Sequence, residues 1–348
     1  MPKIFTRMGD GSPVELTPAE LRQDLEDGAN EAADRGGIPT LNEEDYKYLE
    51  DLFARRDRFV GVDIGNEVVL TYDGPTVKFK RHCLMEERLQ VLGIYEKLLG
   101  ADTVELGHID YSYKPVKPIV TYEQGTLEMA LMTTHAPLLY GAMPNLGLYT
   151  QPDGPCPNPM ELLPQGKIKE ARDAYEAMIE EAVRDIVFVV GSMYESGADA
   201  FNLDTVGASG DADVRASFLA LEKLKAKYPD IAVEVGMAGE FVLGMHGELT
   251  YDGQRLAGLY PHQQVKLAEK AGATIFGPVV NTNTDRSIPW NLARTITFTR
   301  ACSKAASIPV HANMGMGVGA VPVADCPPVD VLSRASKAMV ELCDLDGL

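Results

Sequence analysis

The chain is 348 residues long, with 45% apolar and 24% charged residues and a formal net charge of −19. That balance belongs to a soluble globular protein and excludes disorder as the main state, collagen-like structure and coiled coil, and no apolar run approaches the ~18 residues of a membrane span. With 51 acidic against 32 basic residues, the surface repels phosphate backbones and anionic lipid, so neither nucleic acid nor membrane is expected as a partner; a cationic substrate is mildly favoured, beside the plain reading of acidity as solubility.

The first ten residues lack the apolar core of a signal peptide. The five cysteines are an odd count without a C-x-x-C spacing, which fits a reducing cytoplasm better than a disulfide framework.

Thr17-Pro-Ala-Glu20 is a capping box with proline at the first helical position, and Gly28 is expected to end that helix. A second helix is predicted from Asn42 to about Arg56. Strand-like runs at 68–72 and 76–80 flank Asp73-Gly74-Pro75, which signals a hairpin, and a helix follows over 86–99. From Gly100 onward a helix repeatedly ends in glycine and an apolar strand starts at once: Gly100-Ala-Asp, Gly197-Ala-Asp and Gly272-Ala-Thr. Strands are predicted to begin near 103, 137, 200, 231, 274 and 309. Helices between and after them cover 121–135, 166–196, 211–227, 261–271, 289–306 and 328–343.

This alternation argues for a parallel sheet of β-α units. A (β/α)8 barrel is favoured over a doubly wound sheet, because no G-x-G-x-x-G or P-loop follows any strand and polar residues sit at the C-terminal ends of many strands. The expected division is an N-terminal extension of helices and a hairpin over 1–100, then a partial barrel over 101–348. After the last helix, Asp344-Leu-Asp-Gly-Leu348 looks like another strand entry. The count then gives six of eight strands, and a chain cut before its seventh.

The strand ends carry the candidate chemistry. Glu105, His108 and Asp110 close the first strand, where a metal is one reading and hydrogen-bonded polar groups the other. Asn202 and Asp204 are followed by Gly207-Ala-Ser-Gly210, either an anion cradle or a tight turn. Glu234 and Glu240 close the next strand, then Asn281 and Asn283, then His311 and Asn313 ahead of a glycine-rich loop. In a barrel these ends share one cavity. Met143, Met237, Met245, Met314 and Met316 cluster there as gap-filling core, and Trp290 reads as a packed cap or a rim aromatic. No Ser-His-Asp order, G-x-S-x-G or zincin motif is present.

Whole segments go further. They include Leu99–Pro118 around Glu105-Leu-Gly-His-Ile-Asp110, Leu139–Tyr149, Glu234-Val-Gly-Met-Ala-Gly-Glu240, Phe276–Thr284 with Pro289-Trp-Asn-Leu-Ala-Arg294, Asn313–Gly319 and Arg334–Val340. From Arg7 to the last residue the chain resembles the dimethylamine:corrinoid methyltransferases, the pyrrolysine-containing enzymes of methylamine metabolism and methanogenesis. The resemblance implies a TIM-type barrel. It also implies an in-frame UAG codon, read as pyrrolysine, directly after or within about a residue of Leu348, so that the 348 residues would form an inactive N-terminal part.

For the longer enzyme it implies a methyl transfer from dimethylamine to the Co(I) of a separate corrinoid protein, giving monomethylamine. No cofactor is bound directly; pyrrolysine is the intrinsic electrophile and the corrinoid rides on the partner. Strand-end position nominates Glu234, Glu240 and His311 as catalytic, and Asn202, Asp204, Asn281 and Asn313 as substrate-binding, with no metal ligand. A cytoplasmic homo-oligomer is expected. The competing readings are a metal-dependent barrel lyase or hydrolase using Glu105, His108, Asp204 and His311, and a non-catalytic fragment.

Overall fold

The computed structural model describes residues 3–66, 68, 70–73, 103–107, 139–142, 146–198, 200–203, 206–207, 210–244, 248–315, 317–324 and 327–348. The helices predicted over 86–99 and 121–135 lie outside them.

The chain opens with an antiparallel hairpin, β1 (Ile4–Arg7) and β2 (Pro13–Leu16). The capping box then starts α1 (Pro18–Gly36): the Thr17 N–H donates to Glu20 Oε2 at 2.8 Å, and the Glu20 N–H donates to Thr17 Oγ1 at 3.2 Å. Gly28 does not end this helix, as the sequence suggests it should. A Cβ at Gly28 would collide with the backbone carbonyl of Trp290, so the glycine serves close approach of two helices instead. The stop falls at Gly37, which has the left-handed φ of 61°. Asn42 caps α2 (Glu43–Ala54) through the N–H groups of Glu44 and Asp45.

The architecture is mixed α/β. Among the described residues, six strands make one parallel sheet in chain order: β3 (Leu70–Asp73), β4 (Thr103–Gly107), β5 (Leu139–Ala142), β6 (Ala200–Leu203), β7 (Ala232–Ala238) and β10 (Ile275–Pro278). A small antiparallel pair, β8 (Thr250–Tyr251) and β9 (Gln254–Arg255), sits in the loop after β7. Single parallel bridges carry the row onward, from Phe276 to Val310 and from His311 to Gly347.

Two expectations change here. The run near 68–72 is not a hairpin strand, because Leu70 pairs in parallel with Thr103. The Asp-Gly-Pro signal is local, and the parallel partner lies a crossover away. The boundary expected at residue 100 therefore cuts the sheet between its first two strands. With β3 counted first, the row passes through eight chain positions, and Gly347 is the eighth rather than the start of a seventh.

The predicted helices stand close to their expected bounds: α3 (Ile168–Glu195), α4 (Asp211–Lys227), α5 (Pro261–Ala271), α6 (Ile288–Ala305) and α7 (Val329–Cys343). Among the described residues two large apolar clusters result, beside a small one of Ala32, Val280 and Phe298. One joins α3, α4 and α5 to β6 and β7, around Phe201, Phe218 and Phe276. The other joins α1 and α2 to α6 and α7, around Leu25, Leu49, Ile296 and Met339. No helix among the described residues is long and apolar enough to cross a membrane.

Candidate active site

Asn202 on β6 and Glu234 on β7 are register partners, so their side chains leave the sheet on the same side. Both are buried, at 4% and 1% exposure, in strands otherwise made of small and apolar residues. His311 lies beyond β10, yet its Nδ1 is 2.8 Å from Glu234 Oε1. The intervening strand permits this contact because it places Gly277 between them. A Cβ there would stand 2.7 Å from Glu234 Oε1 and 3.2 Å from the His311 carbonyl. Gly236 plays the same part on β7, where a Cβ would collide with Asn202 Oδ1. The glycines thus make a floor from which Asn202 and Glu234 emerge bare.

Burial opposes the positive charge on His311, but the Glu234 carboxylate and a hydrogen bond with the Leu348 backbone outweigh it, and the imidazole pKa is raised. The same segment is tied down by its main chain. The Asp346 and Gly347 N–H groups donate to the Val310 carbonyl at 3.1 and 3.3 Å, the Ala312 N–H donates to the Gly347 carbonyl at 3.1 Å, and the Val310 N–H donates to Asp346 Oδ2 at 2.8 Å. Leu348 is therefore held against the Glu234–His311 pair. Asn202 Oδ1 is buried without a hydrogen-bond donor among the described residues.

Glu240 is also buried, but it meets a different partner. It accepts from Arg294 Nη2, while Arg294 Nε donates to Glu31 Oε2 at 2.5 Å and Arg35 Nη1 stands 3.9 Å from Glu240. Burial works against the Arg294 charge, and the two carboxylates more than restore it. Asn281 is exposed, and its carbonyl accepts from Arg294 Nη1 at 3.4 Å. Asn313 is half-buried, with its N–H donating to the Pro278 carbonyl at 3.3 Å. Of the nominated residues, Glu234, His311 and Asn202 gather at one floor, whereas Glu240 and the Asn281 backbone gather at Arg294.

Asp204, His108, Asp110, Met143, Met245 and Met316 lie outside the described residues, as do the side chains of Glu105 and Met237. No group of three or more metal-ligating side chains occurs among the described residues. Trp290 is packed, 6% exposed, between the guanidinium groups of Arg286 and Arg294.

Sequence reasoning missed Arg294. Its signal is a single charge in a helix turn whose neighbours are apolar, threonine or asparagine, a setting in which a charge is buried only if paired.

Among solved structures, the chain is similar to the carboxyl transferase domain of Rhizobium etli pyruvate carboxylase, with 14% identity, a TM-score of 0.37 and coverage of 86% of this chain, which spans 40% of that one. It is similar to the homocysteine methyltransferase MmuM of Escherichia coli at 12% identity and a TM-score of 0.40, covering 80% of this chain and 97% of the other. The YdjI aldolase of Escherichia coli follows at 9% identity and 0.36, covering 81% and 94%. The sequence model of the dimethylamine methyltransferases matches residues 3–348, nearly the whole length, and the chain belongs to that family.

Proposed function

We propose that the enzyme formed by this chain moves a methyl group from dimethylamine to the Co(I) of a separate corrinoid protein, at the mouth of a (β/α)8 barrel, and releases monomethylamine. The observation that carries this reading is the buried Glu234–His311 pair held against Leu348, next to the position where the resemblance puts pyrrolysine. The residues present fit such a group by their chemistry: Glu234, His311 and the Asn202 Oδ1 that lacks a donor among the described residues are polar groups gathered at one buried floor. When present, pyrrolysine supplies a ring imine, an electrophile for the amine nitrogen.

The chain's own groups bind the amine and manage its protons. Glu234 is the counter-charge that favours a cationic nitrogen in a dry site. Asn202 Oδ1, an acceptor lacking a donor, takes an N–H of the amine and fixes which methyl faces outward. His311, whose pKa Glu234 raises, is the source of the proton that makes the nitrogen cationic, so that it departs as a neutral amine and not as an amide anion. In the transfer the N–CH3 bond breaks, the Co–CH3 bond forms, and the nitrogen keeps the bonding pair while cobalt passes formally from Co(I) to Co(III). A cytoplasmic location and a homo-oligomeric assembly belong to the same proposal.

The test is the enzyme mixed with its Co(I) corrinoid protein, followed by the cobalt absorption spectrum. Methylation of cobalt should require dimethylamine and yield one monomethylamine per methyl transferred. Methyl transfer to free tetrahydrofolate without any corrinoid protein would overturn the reading.

A further inference from the structure

Away from the Glu234–His311 pair, a cavity of about 770 Å³ opens between β1, the end of α2 and the start of α7. Its sign is the reverse of the molecule's. In a chain of net charge −19, its walls hold Lys3, Arg7, Arg55, Arg56, Arg58 and Arg334 against only Asp57 and Asp330.

Three of these cations are fixed in the wall. Arg334 is 8% exposed, and its Nη2 donates to the carbonyls of Arg55 and Asp57 at 2.7 and 2.8 Å, closing the C-terminal end of α2. Arg7 Nε donates to Asp330 Oδ2 at 3.0 Å, and Arg55 Nε donates to Asp57 Oδ2 at 3.0 Å. The two acidic residues of the lining are thereby neutralised. Arg56 and Arg58 are exposed and form no ion pair among the described residues.

The start of α7 adds a second attraction. Its N-cap is Pro328, which provides no side-chain cap for the first-turn N–H groups, and Pro328, Val329 and Asp330 line the cavity. The volume is that of a small-molecule site, and the lining also includes the apolar Ile4, Phe5 and Phe53. A lone monovalent anion would leave most of this charge unmet.

We propose that this cavity binds a small molecule carrying two or more phosphate groups, with the phosphates between Arg56, Arg58 and the start of α7. The ligand is either an inorganic oligophosphate or the phosphate chain of a nucleotide. The site shares no residue with the methyl-transfer site and does not depend on that assignment.

Calorimetric titration of the full chain with tripolyphosphate and, separately, with ATP tests this. Saturable binding at one per chain is expected for at least one probe, weakening tenfold or more in Arg56→Glu/Arg58→Glu and falling steeply with salt. Equal affinity for both probes would assign the inorganic chemistry; ATP binding that Phe5→Ala weakens would assign the nucleotide. Both arginines are exposed, and an unchanged thermal transition of the variant would show that its fold is intact. Absence of saturable binding by either probe, or affinity unchanged in the double variant, would overturn the proposal.

Discussion

Glu234 and Glu240 stand six residues apart, both buried, both nominated from the sequence for the same work, and the fold gives them opposite partners. Glu234 meets an imidazole, a group that can both hold and release a proton. Glu240 meets a guanidinium, which stays charged throughout the range in which proteins are folded. The first pair can exchange a proton with a substrate, whereas the second can only hold. What Arg294 holds is also plain: through Glu31 and Glu240 it ties α1 and α6 to the loop after β7. A buried carboxylate at a strand end is thus not yet a catalytic group, and the chemistry of its partner decides between mechanism and scaffold.

The sharpest way to break this comparison is Arg294→Met. It leaves Glu240 buried with only the more distant Arg35, while Glu31 keeps its pair with Arg35 at 2.7 Å. Removing one side of a buried pair costs about 3–5 kcal/mol, and urea denaturation should show a loss of that size. Adding Glu240→Leu should recover much of it, because the orphaned charge causes most of the penalty. A loss below about 1 kcal/mol in the single variant would mean that Arg294 is no clamp.

Glu234→Gln asks the converse. The amide keeps the shape and an acceptor for His311, so stability should fall by only about 1 kcal/mol. The enzyme's kcat/KM for dimethylamine should drop about 100-fold, the scale of lost acid–base assistance. A variant that melts early while turning over normally would reverse the assignment of the two pairs.

A smaller effect separates the pairs by pH. The folded-state pKa of His311 is raised, so the stability it contributes is fully present below its ordinary value of about 6.5 and disappears as pH rises through the raised value. The stability difference between the wild type and Glu234→Gln should therefore be largest on the acid side of neutrality and shrink toward pH 9. The contribution of Arg294, measured in the same way, should stay flat over that range. A Glu234 difference that grows with pH would contradict the linkage.

Much of this was legible in the sequence where the cause is local. Thr17-Pro-Ala-Glu20 and Asn42 carry their own caps, and the glycine-led strand entries at 197 and 272 hold because the left-handed residue is a property of its neighbours. What failed depends on distant partners. Gly28 looks like a stop until Trp290 packs against it, and Leu70–Asp73 looks like half of a hairpin until Thr103 pairs with it. The site divides the same way. Strand-end position singles out Glu234, His311 and Asn202, which the fold brings to one floor, but nothing near Glu240 in sequence announces Arg294.

Asn202 gives the smallest effect and the finest division. Its Oδ1 is buried without a donor among the described residues, an arrangement that costs stability unless a ligand supplies the missing proton. Asn202→Ala removes that cost and empties space over Gly236, so the folded chain should lose little and could even gain stability. In the enzyme the lost contact is one hydrogen bond from the cationic nitrogen, about 1.5 kcal/mol at the low end for a charged group, which raises KM for dimethylamine about tenfold. Because the contact is made equally in the ground and transition states, kcat should hold nearly constant. Steady-state kinetics over a range of dimethylamine concentrations separates the two parameters. A fall in kcat at unchanged KM would place Asn202 with Glu234 among the groups that act on the reacting nitrogen in the transition state, and would extend the proton-handling site from a pair to a triad.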